Sequence, residues 1–430
     1  MRRIAIALLA AAAFGCAKAE NLGRADPERM AARIAALSEF GRNADGGVDR
    51  VAYTRADIEA RAWAMETMRS IGLHDVRIDA GGNIRGVRHG TDDEAKPIMF
   101  GSHIDSVPGG GNYDGDVGVV AAFEAIELLN AASIETKSPL EVVIFSNEEG
   151  GLIGSLALTG ALSAATLDEM SGAGVAIREG IRAIGGDPDA LARDVVAPGA
   201  LKAFIEVHIE QGAILDEENV DIGVVEGIVG IEWWNVTLEG VANHAGTTPM
   251  NRRKDALLAA ARLIGAVNQT AVETPGAHVA TVGRIRAFPG APNVIPGKVE
   301  MSLEIRDLDA AKIESLFAAI EEKGRAIAAE SGVAVAFERL DVASAPARTD
   351  ERVRAAIAEA AETLGLSTRA MASGAGHDAQ DMARIAPTGM IFVPSVGGVS
   401  HSPKEFTEPK DMANGADVLV RTILALDRTK

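Results

Sequence analysis

At 430 residues, with 47% hydrophobic and 24% charged side chains, the chain has a soluble, globular composition and length enough for two domains with large cores. Sixty-one acidic against 42 basic residues leave a formal charge of −19, which speaks against nucleic acid or an anionic membrane as partner, because both reward clustered Lys and Arg. Cys16 is the only cysteine, so an internal disulfide and thiolate metal ligation are both excluded.

Residues 1–19 read as an export leader rather than part of the fold. Arg2 and Arg3 precede an apolar run from Ile4 to Phe14 that is too short to span a bilayer, and Ala17-Lys18-Ala19 fits a small-x-small cleavage site. Cleavage there starts the mature chain at Glu20 and takes the charge from −19 to −22. Gly15-Cys16 offers a poorer, lipoprotein-type alternative, so the expected location is exported and periplasmic. From Pro27 to Gly72 apolar residues recur at helical spacing (Met30, Ile34, Leu37, then Ile58, Ala62, Met65, Met68). Val76 to Val87 alternates like strands around a Gly81-Gly82-Asn83 turn. The runs 97–101 and 140–146 read as buried central strands, with a helix from Gly118 to Leu129 between them. Strands alternating with helices predict an α/β domain with a mostly parallel sheet, where chemistry collects at the strands' carboxyl ends.

The texture changes near Gly230. Strands are predicted over 231–238, 278–286, 298–306 and 333–340, with helices over 255–267 and 310–331. That β-α-β-β-α-β order is a ferredoxin-like split motif. Residues 343–347 then look like a linker back into α/β texture, with a strand at 390–393 between two helices. The expected organisation is a catalytic domain of residues 20–229 and 343–430 interrupted by an inserted α+β domain of residues 230–342.

The residues suited to chemistry follow the apolar runs. His103 and Asp105 stand two apart at a strand end and project to one side, so that the aspartate can hold the distal imidazole nitrogen. Asp114 lies eleven positions after His103 in a glycine-rich turn, where one carboxylate can face two cations. Glu148-Glu149 follows a buried strand, and adjacent side chains point opposite ways, so one can ligate while the other handles protons. His208 and His401 lie in their own glycine-punctuated segments. The inventory suits a pair of divalent cations sharing a bridging aspartate, and so hydrolysis.

The segments GSHIDSVPGGGNYDG, SNEEGG, HIEQG at 208–212, NHAGTTPM at 243–250, NVIP at 293–296, EIRD at 304–307, SGAGHDA at 373–379 and SVGGVSHSP at 395–403 run over almost the whole mature chain. Together they resemble the dinuclear metal-dependent amidohydrolases of the hydantoinase/carbamoylase type. These comprise N-carbamoyl-L-amino acid hydrolases, β-ureidopropionases and allantoate amidohydrolases, within the carboxypeptidase-G-like metallopeptidases. HIEQG separates that branch from the peptidases, which carry an acidic ligand there. The resemblance implies one metal on His103, Asp114 and His208, and a second on Asp114, Glu149 and His401. Glu148 is implied as the general base toward metal-activated water, with Zn, Mn, Co or Ni all compatible with such ligands. It further implies that His244 stabilises the oxyanion, that Asn293 and Arg306 clamp a substrate carboxylate, and that Gln211, Gly374 and His377 lie by the substrate. The inserted domain is implied to act as a lid and to mediate homodimerisation. One departure stands out: after Glu-Glu-Gly the ureido-hydrolysing relatives usually carry an Arg-Phe pair and a longer loop, whereas this chain reads Gly150-Gly151-Leu152-Ile153-Gly154-Ser155. The reading is therefore a hydrolase of linear amide or ureido C–N bonds, most of all an N-carbamoyl-L-amino acid. Its competitors are an allantoate- or ureidoglycolate-type amidohydrolase, a metallopeptidase of the same architecture, and a non-catalytic small-molecule binding protein.

Overall fold

The structure is a computed structural model that describes residues 22–92, 94–340 and 344–429; the leader and Cys16 lie outside these. The chain divides into two compact units. One takes the chain up to Glu226 and again from Thr349, and the other is the continuous segment Gly227–Arg348.

In the first unit, α1 (Pro27–Leu37) starts where the Asp26 carboxylate accepts from the N–H groups of Glu28 and Arg29, with Pro27 at the position that lacks a donor need. Helix α2 (Arg55–Ser70) leads into the hairpin β1 (His74–Ile78) and β2 (Ile84–Arg88). Next come β3 (Ile98–His103), α3 (Asp116–Ala131), β4 (Leu140–Phe145) and the short helices α4 (Ile153–Leu158) and α5 (Ile177–Ala183). They are followed by β5 (Ala203–Ile209), α6 (Ile214–Glu218) and β6 (Ile222–Ile228).

The second unit opens with β7 (Gly230–Glu239) and β8 (Asn243–His244), and continues through α7 (Ala256–Glu273), β9 (Val279–Thr281), β10 (Ile285–Phe288) and β11 (Val294–Ile295). It closes with β12 (Lys298–Asp307), α8 (Ala310–Ser331), β13 (Ala334–Arg339) and β14 (Ala347–Arg348). The chain returns to the first unit through α9 (Glu351–Thr363), β15 (Thr368–Ser373), α10 (Asp378–Met382), β16 (Thr388–Val393) and α11 (Pro409–Arg428).

The fold is mixed α/β with a mostly parallel central sheet. Strands β4, β3, β5 and β16 run parallel side by side, and antiparallel neighbours flank them: β2 on β4, and β6 on β16. Every residue of those four central strands is buried. Burial of this kind contributes about 1.5–3 kcal/mol for each Val, Ile or Phe, so the centre of the sheet is a stable base for the strand ends. Helix α3 is apolar nearly all round and buried along its length, packed against β3, β5 and α11.

In the second unit β13, β7, β12 and β10 form an antiparallel sheet with β9 also on β12, and α7 and α8 supply apolar side chains to its core. The segment expected as one strand over 278–286 is two, β9 and β10, because Val282–Arg284 leave the ladder between them. A separate ribbon pairs β8 with β11, a feature that two residues per strand leave without any readable alternation.

Candidate metal centre

The central strands deliver the ligand candidates at their carboxyl ends. His103 closes β3 beside Phe145, the last residue of β4, and Glu148-Glu149 follow just beyond. His208 lies on β5 opposite Phe392 of β16. The parallel ladder joins Ile98 to Ala203 and Phe100 to Ile205, and further along the same two strands the rings of His103 and His208 stack at 5.7 Å. Asp114 sits two residues before α3 on a turn through Gly115. Gly115 has φ 66°, and a Cβ there would lie 2.5 Å from the His103 ring, so only glycine lets the turn pass this close.

The two oxygens of Asp114 face different partners. Oδ1 lies 3.5 Å from His103 Nε2 and 3.1 Å from His208 Nε2. Oδ2 lies 3.3 Å from His401 Nε2, which is in turn 3.5 Å from Glu149 Oε1. His103, Asp114 and His208 therefore form one group with metal-ligand spacing, and Asp114, Glu149 and His401 a second that shares the aspartate. Glu148 Oε2 approaches His103 Nε2 at 3.7 Å. A third group of the same spacing, Glu206, His208 and His377, is fully buried behind the first. In that group Glu206 is already spent, since it accepts from Ser102 Oγ at 2.7 Å and from the Ala379 N–H at 3.0 Å.

These side chains fit cations rather than one another. His103 Nδ1–H donates to the Asp105 carbonyl at 3.0 Å and His208 Nδ1–H to the Ile209 carbonyl at 2.9 Å. Each bond fixes the tautomer that turns an Nε2 lone pair to Asp114. Nε2 of both histidines and Oε1 of Glu149 are buried with no hydrogen-bond partner. A buried polar atom left unpaired costs on the order of 1–3 kcal/mol, and here several such atoms converge on one carboxylate. Nitrogen and carboxylate donors without sulfur suit Zn, Mn, Co or Ni.

The electrostatics agree. Burial, and the charges of Glu149, Asp114 and Asp378, push Glu148 well above the usual carboxylate range although His103 opposes them. Burial and the Asp114 charge raise Glu149 to about 7. Asp114 is held well below the ordinary value because its histidine neighbours outweigh its burial. Its hydrogen bond, followed by the Glu149 charge, lifts His401 to about 9. The two glutamates hold protons while Asp114 stays ionised and draws protons to His103, His208 and His401, which is the signature of a site short of positive charge.

Asp105 makes a different contact from the one expected. The Asp105 carboxylate is 3.8 Å from His103 Nδ1, and the backbone carbonyl makes that contact instead. Its carboxylate accepts from the N–H groups of Glu148 (3.1 Å) and Glu149 (3.2 Å), so Asp105 positions the glutamate pair. Gln211, at φ 58°, donates through Nε2 to Asp114 Oδ2 at 2.7 Å and so touches the shared ligand directly. His377 is buried and turned to the ligand side, its ring edge-on to His208 at 4.4 Å and Nε2 paired with Ser373 Oγ at 2.8 Å. Gly374 is exposed in the turn after β15, where the next N–H, of Ala375, is taken by Ser373 Oγ.

In the second unit His244 and Asn293 come together. Val294 pairs with His244 on the ribbon, and the Ala245 N–H donates to the Asn293 carbonyl. His244 Nδ1 accepts from the N–H groups of Gly246 and Thr247, so the neutral ring carries its proton on Nε2, facing outward as a donor. Glu304 takes Arg306 Nε at 2.8 Å and Nη2 at 3.2 Å, and Trp233 Nε1 donates to the same carboxylate.

Sequence reasoning passed over two residues of the first unit. Glu405 accepts four hydrogen bonds from the turns that carry Asp114 and His401. Arg50, 1% exposed, pairs with Asp116 at 2.5 Å and donates to the carbonyls of Leu37, Phe40 and Ile104. It braces the chain on both sides of the ligand turn, and removing one partner of such a buried pair costs about 3–5 kcal/mol.

Comparison with known proteins matches this architecture. The model of peptidase family M20/M25/M40 covers residues 99–425. The chain belongs to that family. Over 404 residues it is 40% identical to an N-carbamoyl-L-amino acid amidohydrolase of Geobacillus stearothermophilus, covering 93% of this chain and 98% of that one. It is 38% identical to an allantoate amidohydrolase of Bacillus subtilis, covering 91% and 95%. A solved amidase of the hydantoinase/carbamoylase family from Burkholderia multivorans superposes with a TM-score of 0.89 at 36% identity, covering 94% and 99%. The resemblance read from the motifs to the hydantoinase/carbamoylase branch is thus the family found.

Proposed function

We propose that the chain is a dinuclear metal-dependent amidohydrolase of linear C–N bonds, acting on an N-carbamoyl-L-amino acid or a closely related ureido acid. The observation that carries the reading is Asp114, whose two oxygens face two separate ligand groups. His103 and His208 would hold one cation with Asp114, and Glu149 and His401 the other. When bound, the cations supply Lewis-acid polarisation of the amide carbonyl and of water.

The chain's own residues supply the rest. Glu148 is buried beside the ligand groups, with Oε2 3.7 Å from His103 Nε2, and would be held ionised beside bound cations, so it can take a proton from water and return it to the departing nitrogen. The outward Nε2–H of His244 suits an oxyanion, whose stabilisation by one donor is worth about 100- to 1000-fold in rate. The Arg306 guanidinium, oriented by Glu304, suits a substrate carboxylate. We further infer that the second unit acts as lid and self-association surface, giving a homodimer, and that residues 1–19 direct export to the periplasm. The relatives at about 40% identity, named for N-carbamoyl-L-amino acid and allantoate hydrolysis, support the substrate class.

A substrate panel on metal-loaded protein tests the reading. Ammonia should appear together with free amino acid from N-carbamoyl-L-amino acids, and dipeptides should be poor substrates. Amino-acid release from dipeptides, with no ammonia from any ureido acid, would assign the centre to peptide hydrolysis instead.

A further inference from the structure

We propose that Glu405 is a positioning residue for the metal centre, a buried carboxylate strut that fixes the Asp114 turn against the His401 turn. The proposal rests on the reading of Asp114 and His401 as ligands.

Glu405 is 3% exposed. Its Oε1 accepts from the N–H groups of Tyr113 (2.9 Å) and Asp114 (3.0 Å), 291 positions back in the chain. Its Oε2 accepts from the His401 N–H (3.1 Å) and from Ser400 Oγ (2.9 Å). With both oxygens spent on four donors, Glu405 is not itself a ligand; it acts through the backbone of two residues that are. Ser400 Oγ also lies 3.0 Å from Asp114 Oδ2, so the strut reaches the shared carboxylate by a second route.

Only a carboxylate satisfies this arrangement. A glutamine in the same place, turned either way, sets its amide N–H against one pair of donors and leaves them unpaired in a buried setting. Aspartate is one methylene short. His401 is held at φ 52°, a left-handed conformation that a residue with a Cβ rarely adopts, and the bond from its own N–H to Glu405 helps to hold it there.

Gly111 records the strut from the other side. A Cβ there would lie 2.1 Å from Glu405 Oε1 and 2.3 Å from its Cδ, and Gly111 is not in the left-handed region. Glycine is therefore needed at 111 because the Glu405 side chain fills the space. Meanwhile Tyr113 and Phe406 meet edge-on at 5.4 Å, so an apolar contact joins the same two segments independently of the carboxylate. Removing the carboxylate should loosen the alignment without separating the segments.

The test uses full-length protein stripped by chelator and titrated with Co2+, following the visible absorption of the bound ion and the total metal per chain. Wild type should bind two ions. Stripped Glu405→Gln should melt within about 10 °C of stripped wild type. It should take its first ion normally and its second at least 10-fold more weakly, the scale of loss when a ligand-orienting partner is removed. Gly111→Ala should show the same selective weakening, and the double variant should be no worse than the weaker single, because both act on one strut. Two ions bound by Glu405→Gln with wild-type affinity, additive losses in the double variant, or a stripped Glu405→Gln chain that fails to fold would each overturn the proposal. Wild type that binds fewer than two ions would instead remove the reading of the centre beneath it.

Discussion

The residues of the first unit and those of the second are held in opposite ways. His103 and His208 are buried at the ends of parallel strands, and the N–H groups of Asp114 and Glu148 donate to the bracing carboxylates of Glu405 and Asp105. His244 and Asn293 are exposed on a ribbon of two residues per strand, and Arg306 is oriented by a carboxylate on its own strand. The first arrangement fixes where charge and protons go. The second leaves donors on a surface that can adapt to a substrate. Substitutions in the two units should therefore fail in different ways.

The largest effect should come from the shared ligand. Asp114→Ala should lose both ions and with them measurable turnover, whereas His401→Ala should mainly empty one position, as read by metal content per chain. Equal stoichiometry in both variants would break the bridging geometry. Next, Glu148→Gln should keep both ions yet lose at least about 1000-fold in kcat, within the range of general acid–base contributions. Near-normal turnover at full occupancy would take proton transfer away from Glu148.

Arg306→Ala tests the other side of the comparison. It should cost about 10- to 100-fold in kcat/KM on N-carbamoyl acids, one or two charge-assisted hydrogen bonds, with metal content unchanged and far less loss on the amidated analogue. Equal losses on acid and amide would place Arg306 in the fold of its own sheet.

The smallest effect is one of pH. Glu149, held near 7 chiefly by burial, and His401, raised to about 9 chiefly by its hydrogen bond to Asp114, must each release a proton before they ligate. Protons therefore compete with the ion, and affinity for the second ion should fall as pH drops, by at least about tenfold between pH 8 and pH 6. Titrations showing a flat affinity over that range would separate these two residues from the ion.

The contrast also explains what the sequence revealed. Ligand candidates at strand ends were legible because short, largely apolar runs such as 97–101 and 140–146 identify central strands, and the polar residues that follow have one place to go. The partners of those ligands were not. Glu405 meets Asp114 across 291 positions, and the use of the Asp105 carboxylate on backbone N–H groups leaves no mark in residue type. The Glu304–Arg306 pair was open to inference, since residues two apart on a strand share a face. The small-residue segment after Glu149 becomes a turn with Leu152 at φ 59° that leads straight into α4.

The placement of His103 and His208 on neighbouring parallel strands has one more consequence. Neighbouring backbones in any sheet lie about 4.8 Å apart, and shifting either strand by one residue would turn its imidazole to the opposite face. That gap is a ruler whose length no point substitution can alter. Redesign of this pocket for a larger or smaller ion must begin with the loop-borne Asp114, Glu149 and His401.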